Sequence, residues 1–245
     1  MKAILVCVFL LKISSMKYFL LTIFTVILIG CKNQSNENTE SSSAKEVTEE
    51  KTLTTAEAIA YKYGFEHWNE VNKIAFTFNV DQGENHFERS FIWKPETGAV
   101  EYTQGDQVVS FMHLRPQDSI QTQADKAFLN DKYWLLTPFQ LVWDKNLTIT
   151  EAQNVTAPIS KETLNKLTIV YPEDGGGYTP GDAYDFYFDN EYVIKEWVFR
   201  KGNDKEPTMI RSWESPKQIG NITFTTEFLD EASTSKIYFT NISIK

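Results

Sequence analysis

Between Ile74 and Val80 the side chains alternate strictly, with Ile74, Phe76, Phe78 and Val80 on one side and Ala75, Thr77 and Asn79 on the other. Successive residues of an extended chain point to opposite faces, so this spacing describes a strand with one strongly apolar face. The signature recurs toward the C-terminus. Residues 86–93 place Phe87, Arg89, Phe91 and Trp93 on one side, and 99–103 and 107–112 continue an antiparallel meander around Gly105. Further strands are expected at 147–154, 165–171, 184–188, 192–200, 209–213, 222–229 and 236–242, about eleven in all. Tyr184, Phe186 and Phe188 share one face, as do Val193, Trp197 and Phe199, and Asp189-Asn190-Glu191 reads as the hairpin turn between them. Strands this aromatic on one side and joined by short polar turns predict a strongly curved, mostly antiparallel sheet.

Helical spacing breaks this pattern twice, which makes the fold class α+β. Thr54 and Glu57 form a capping box, Ala56, Ile59, Ala60 and Tyr63 follow at helical intervals, and Gly64 supplies the stop. Residues 65–71, with Trp68, extend this helix by a turn or two. In mid-chain, 122–136 reads as a helix through Ala124, Ala127, Phe128, Asp131 and Leu135, with Thr137-Pro138 marking a break or a new helix start. Phe128, Tyr133, Trp134, Phe139 and Trp143 make this the most aromatic stretch of the chain. It suits either a core helix or a lid over an apolar cavity.

The N-terminus carries an address. Met16-Lys17 precedes an apolar run from Tyr18 to Ile29, and Leu28-Ile29-Gly30-Cys31 follows at once. This resembles a bacterial lipoprotein signal peptide and its lipobox. The resemblance implies cleavage after residue 30, acylation of Cys31, and a membrane anchor made of lipid. Twelve apolar residues rise about 18 Å as a helix, short of the roughly 30 Å of a hydrocarbon core. Met16 is a plausible true start. Residues 1–30 are therefore expected to be removed. Residues 31–53, rich in Asn, Ser, Thr, Glu and Lys, form a solvated tether, and 54–245 one domain. Lys32 instead of Asp after Cys31 points to the outer membrane, with the domain facing the periplasm or the cell surface.

Cys7 and Cys31 are the only cysteines, so the exported domain folds without disulfides, and thiol chemistry and Cys-ligated metals are excluded. The net charge of −9 argues against nucleic-acid partners, which need clustered Lys and Arg to displace counterions.

An N-terminal lipobox and tether, an opening helix, a run of antiparallel strands, inserted helices and further aromatic strands together resemble the LolA/LolB-type open half-barrel of lipoprotein carriers and related envelope lipoproteins. Residues 130–139 (NDKYWLLTPF), 179–185 (TPGDAYD) and 196–200 (EWVFR) are similar to an uncharacterised group of Gram-negative lipoproteins with that fold. The resemblance implies a concave apolar sheet, covered by helices, that holds acyl chains. No functional residue is carried over with it.

Enzyme readings fare poorly on inventory. Only His67, His86 and His113 are present, no H-E-x-x-H or G-x-S-x-G motif occurs, and no phosphate-binding loop is found. No cofactor is expected. Glu173, Asp174 and Asp182 flank a glycine-rich run that would suit a calcium site or a surface hairpin. Two classes remain. In a binder of lipid or another apolar or amphipathic ligand, Phe91, Trp93, Trp197, Phe199 and Trp213 line the concave face and Arg89 or Arg200 meets a polar head. In a non-catalytic interaction module for glycan or protein, some of the six tryptophans are exposed as platforms.

Overall fold

The computed structural model describes residues 52–173 and 180–245. The signal segment, Cys31, nearly all of the tether and Asp174 lie outside the described residues. The described residues belong to one compact unit.

Helix α1 (Thr55–Lys62) opens it, and both halves of the Thr54–Glu57 capping box form. A 3₁₀ helix (Phe65–Glu70) follows. Strands β1 (Ile74–Gln82), β2 (Asn85–Lys94), β3 (Ala99–Gln104) and β4 (Gln107–Met112) make the expected meander. Helix α2 (Ser119–Trp143) comes next. Strands β5 (Thr148–Thr156), β6 (Thr163–Val170), β7 (Ala183–Phe188), β8 (Ile194–Arg200) and β9 (Met209–Ser212) form a second meander. The chain ends with β10 (Glu214–Ile219), β11 (Ile222–Leu229) and β12 (Ser235–Ile244).

The fold is α+β, with two antiparallel sheets that are not closed into a barrel. One has the order β10-β11-β12-β1-β2-β3-β4, the other β5-β6-β7-β8-β9. The division differs from a single sheet at one place. Trp213 separates β9 from β10 by one residue, its N–H donates to Lys195 O at 2.8 Å on the β8 side, and from Glu214 onward the chain pairs with β11. One extended stretch thus serves β8 with its first half and β11 with its second. Counted as one strand, it leaves eleven. Strand β10 was not expected because it is polar, largely exposed and contains Pro216, a combination tolerated at a sheet edge.

α1 is fixed against both sheets by the residue that ends it. Tyr63 O accepts from Thr223 N at 3.0 Å, on β11, and the Tyr63 hydroxyl accepts from Ile194 N at 3.1 Å, on β8. Burial pushes the Tyr63 hydroxyl pKa up to about 12, keeping it neutral. Gly64 makes the approach possible: it has φ 89°, and a Cβ there would lie 2.1 Å from Asn221 O.

α2 packs across the inward faces of both sheets. Its first half sets Phe128 against Phe91 and Trp93, with ring centroids 5.5 and 5.4 Å apart. Further along, Trp134 meets Trp197 of β8 at 4.5 Å and Phe228 of β11 at 5.1 Å. Leu136 leaves helical geometry (φ −119°, ψ 22°), which lets Pro138 sit in the first turn of a renewed helix, where its missing N–H is not needed.

Candidate functional site

The seven candidate side chains fall into three groups. Phe91 and Trp93 lie beneath the first half of α2 and are 1% and 7% exposed. Arg89, on the same face of β2, donates Nε and Nη2 to the two carboxylate oxygens of Asp131 on α2, both at 2.6 Å. Phe87, expected beside them, sits toward the hairpin end of β2 and is exposed, its ring 5.3 Å from the Arg89 guanidinium. Trp197 and half-buried Phe199 stack on Tyr184 at 5.5 and 5.1 Å, and Trp213 packs edge-on against Phe228 at 5.0 Å. Arg200 stands apart. Strand alternation puts it on the opposite face from Trp197 and Phe199, where it pairs with Asp185 at 3.0 Å. Neither arginine is a free cation.

The aromatic face is therefore filled and covered, not open. Five of the six tryptophans are buried and Trp143 is half-buried, so no tryptophan is displayed to solvent. A groove of about 450 Å³ lies on the other side of β2–β4 and includes Ile92, Met112, Arg115 and Gln121. A smaller depression of about 250 Å³ lies near Asp189 and Tyr192. None of the seven candidates lines either.

Polar contacts hold α2 to the first sheet. Asp131 is fully buried between Arg89 and the Asn130 amide, and burial outweighs the Arg89 cation in pushing its carboxyl pKa up to about 6. One helical turn and a half earlier, Asp125 accepts from Leu114 N at 3.0 Å and contacts His113 Nδ1 at 2.6 Å. Burial draws the His113 pKa below its ordinary value, against the opposing pull of Asp125. At the far end of α2 the Tyr171 hydroxyl donates to Asp144.

Against this background of paired charges, four buried side-chain nitrogens have no hydrogen-bond partner among the described residues. Three are the indole N–H groups of Trp93, Trp197 and Trp213. The fourth is Arg211 Nε, and the Lys132 ammonium likewise makes no hydrogen bond or ion pair among the described residues. Lys132 is 8% exposed, and its Nζ lies 5.6 Å from the Trp93 ring centroid and 5.9 Å from that of Phe128. Burial pulls its pKa below the ordinary lysine range, against the raising effects of Asp144 and Asp125. The sequence did contain a signal for Lys132: it stands four residues after Phe128, on the same helical stripe.

Among the described residues no group of three or more His, Cys, Asp or Glu side chains could hold a metal, and no helix is long and apolar enough to cross a membrane. Asp182, one of the acids flanking the glycine-rich run, accepts from Gly202 N at 2.7 Å.

No protein-family model and no curated protein matches the chain. Among solved structures it is similar to a DUF1329 family protein from Desulfovibrio piger, at 8% identity over 78% of this chain and 92% of the other, with a TM-score of 0.44. It is also similar to a domain from Vibrio parahaemolyticus described as an outer membrane lipoprotein-sorting protein domain, at 7% identity over 76% and 91%, with a TM-score of 0.42. Likeness at this level concerns the general layout of the fold and assigns no role to any residue.

Proposed function

We propose that this protein is a non-catalytic envelope lipoprotein, anchored through acylated Cys31, that binds a lipid or other amphipathic ligand between α2 and the inward faces of the two sheets. The observation that carries this reading is the set of buried indole N–H donors at Trp93, Trp197 and Trp213. Interiors rarely leave donors unpaired, because each costs on the order of 1–3 kcal/mol when desolvated without an acceptor. Three in one aromatic interior fit a closed state that opens to take up a molecule with both apolar surface and oxygen acceptors. Access requires α2 to move away from the inward faces, parting the Arg89–Asp131 pair and the aromatic contacts of Phe128 and Trp134.

Mass spectrometry of organic extracts from the natively purified protein tests the reading. A lipid at near-stoichiometric amount is expected, and a clean extract together with no uptake of a fluorescent fatty-acyl probe would sink it. The anchor is tested separately. Cys31→Ala is expected to abolish incorporation of a labelled fatty acid, since the acyl chain needs that thiol, and label retained on the variant would refute it.

A second reading has its own support. Val108, Met112, Leu114 and Ile120 are exposed apolar side chains on or near β4, the edge strand of the larger sheet, and Ile92 and Met112 line the groove beside it. An edge strand with apolar neighbours suits protein docking by strand addition.

A further inference from the structure

We propose that Lys132 and the Trp93 indole N–H form a head-group subsite for a single-chain anionic amphiphile, a fatty-acid carboxylate, beneath the first half of α2. The proposal rests on the ligand-binding reading above and specifies which ligand class that space takes.

The argument begins with what the two arginines have spent. Arg89 is used by Asp131 and Arg200 by Asp185, each through short charge-assisted contacts. Lys132 is the buried cation with no carboxylate against it. It makes no hydrogen bond or ion pair among the described residues and is held only by the faces of Trp93 and Phe128. The nearby acids are engaged elsewhere: Asp125 by His113 and the Leu114 N–H, Asp144 by the Tyr171 hydroxyl. A cation over an aromatic face gains less than it costs to desolvate an ammonium. The Lys132 ammonium thus stands over the face of the same indole whose buried N–H has no acceptor. Trp93 and Phe128 flank the ammonium, and Phe128 packs in turn against Phe91 and Phe111, so the missing acceptor is one that arrives with an apolar body. A carboxylate fits: one oxygen can take an ammonium proton and the other the indole proton, and its charge cancels that of Lys132. A fatty alcohol carries the same chain but cannot cancel the charge. A small carboxylate carries the charge but no chain.

Titration calorimetry of the full chain at pH 8, below micelle-forming concentrations, with palmitate, hexadecanol and acetate separates these contributions. Palmitate is expected to bind about tenfold or more tighter than hexadecanol, the scale of one hydrogen-bonded charge contact, and acetate not measurably. Lys132→Met should erase the preference for palmitate while leaving hexadecanol affinity near that of the wild type, and Lys132→Arg should keep it. Equal wild-type affinity for the two long-chain ligands, or a preference that survives Lys132→Met, would overturn the head-group assignment while the ligand-binding reading stands. Failure of both to bind the wild type removes that reading and this inference together. Should Lys132→Met not fold, Trp93→Phe decides, since it keeps the ring and removes the proton: it should weaken palmitate several-fold and spare hexadecanol, and an unchanged preference would overturn the proposal.

Discussion

Arg89→Met is expected to lower the stability of the fold by about 3–5 kcal/mol at pH 7, the usual consequence of removing one partner of a buried ion pair, and by clearly less at pH 5. The fully buried Asp131 carboxylate accepts both guanidinium bonds of Arg89, and methionine leaves it without a counter-charge. The pH dependence follows from the Asp131 pKa, about 6 in the fold against 3.8 in the unfolded chain. The folded state holds this proton more tightly than the unfolded state. Protonation therefore adds stability as the pH falls from about 6 towards about 4, is fully felt below that, and is lost as the pH rises through 6. At pH 7 the variant must keep a bare carboxylate buried or bind a proton against the bulk pH. At pH 5 both proteins carry a largely neutral Asp131, and the gap narrows.

Urea denaturation at the two pH values measures this, and the double variant Arg89→Met/Asp131→Leu should recover most of the loss, because apolar replacements of similar size commonly match or exceed a buried pair. A deficit of equal size at both pH values, or a double variant as weak as the single one, would show that the pair is not what fastens α2 here. If the double variant is as stable as the wild type yet takes up ligand more slowly, the pair serves the movement of α2 more than its stability.

Trp134→Ala is expected to cost about 3–5 kcal/mol, the range for deleting a large buried aromatic ring. Alanine is the best helix former, so α2 itself is not weakened, and the loss reports docking. Trp134 is 7% exposed and touches Trp197 from the smaller sheet and Phe228 from the larger one, so its ring ties together the two sheets that the chain itself joins at Trp213. The vacated space is lined by aromatic carbon, and an apolar dye should bind the variant more strongly than the wild type. Ile120→Ala on the exposed start of α2 should move the urea midpoint by less than about 0.5 kcal/mol equivalent and serves as the reference. A Trp134→Ala effect no larger than that would mean α2 is not docked through this ring.

The elements of this protein were legible because they rest on short-range geometry. Period-two alternation marked strands such as β1, β2, β7 and β8. The Thr54–Glu57 box started α1, and Thr137-Pro138 announced the interruption realised at Leu136. Strand β10 escaped because an exposed edge strand carrying a proline needs no apolar face. The passage from one sheet to the other at Trp213 escaped because it is defined by partners, Lys195 and Glu227, that lie far away along the chain.

The candidate site divides along the same line. Alternation alone put Arg89, Phe91 and Trp93 on one face and separates Arg200 from Phe199. It could not say that Arg89 would be consumed by Asp131, 42 residues away, or that Lys132 would be turned inward without a counter-ion. Residue spacing determines which way a side chain points, because that is a property of a few consecutive backbone torsions. Which charge it meets, and whether a donor is left without an acceptor, depends on the surface that long-range packing brings opposite it, and here that packing paired Arg89 and Arg200, set Lys132 over aromatic faces and left three indole protons without an acceptor.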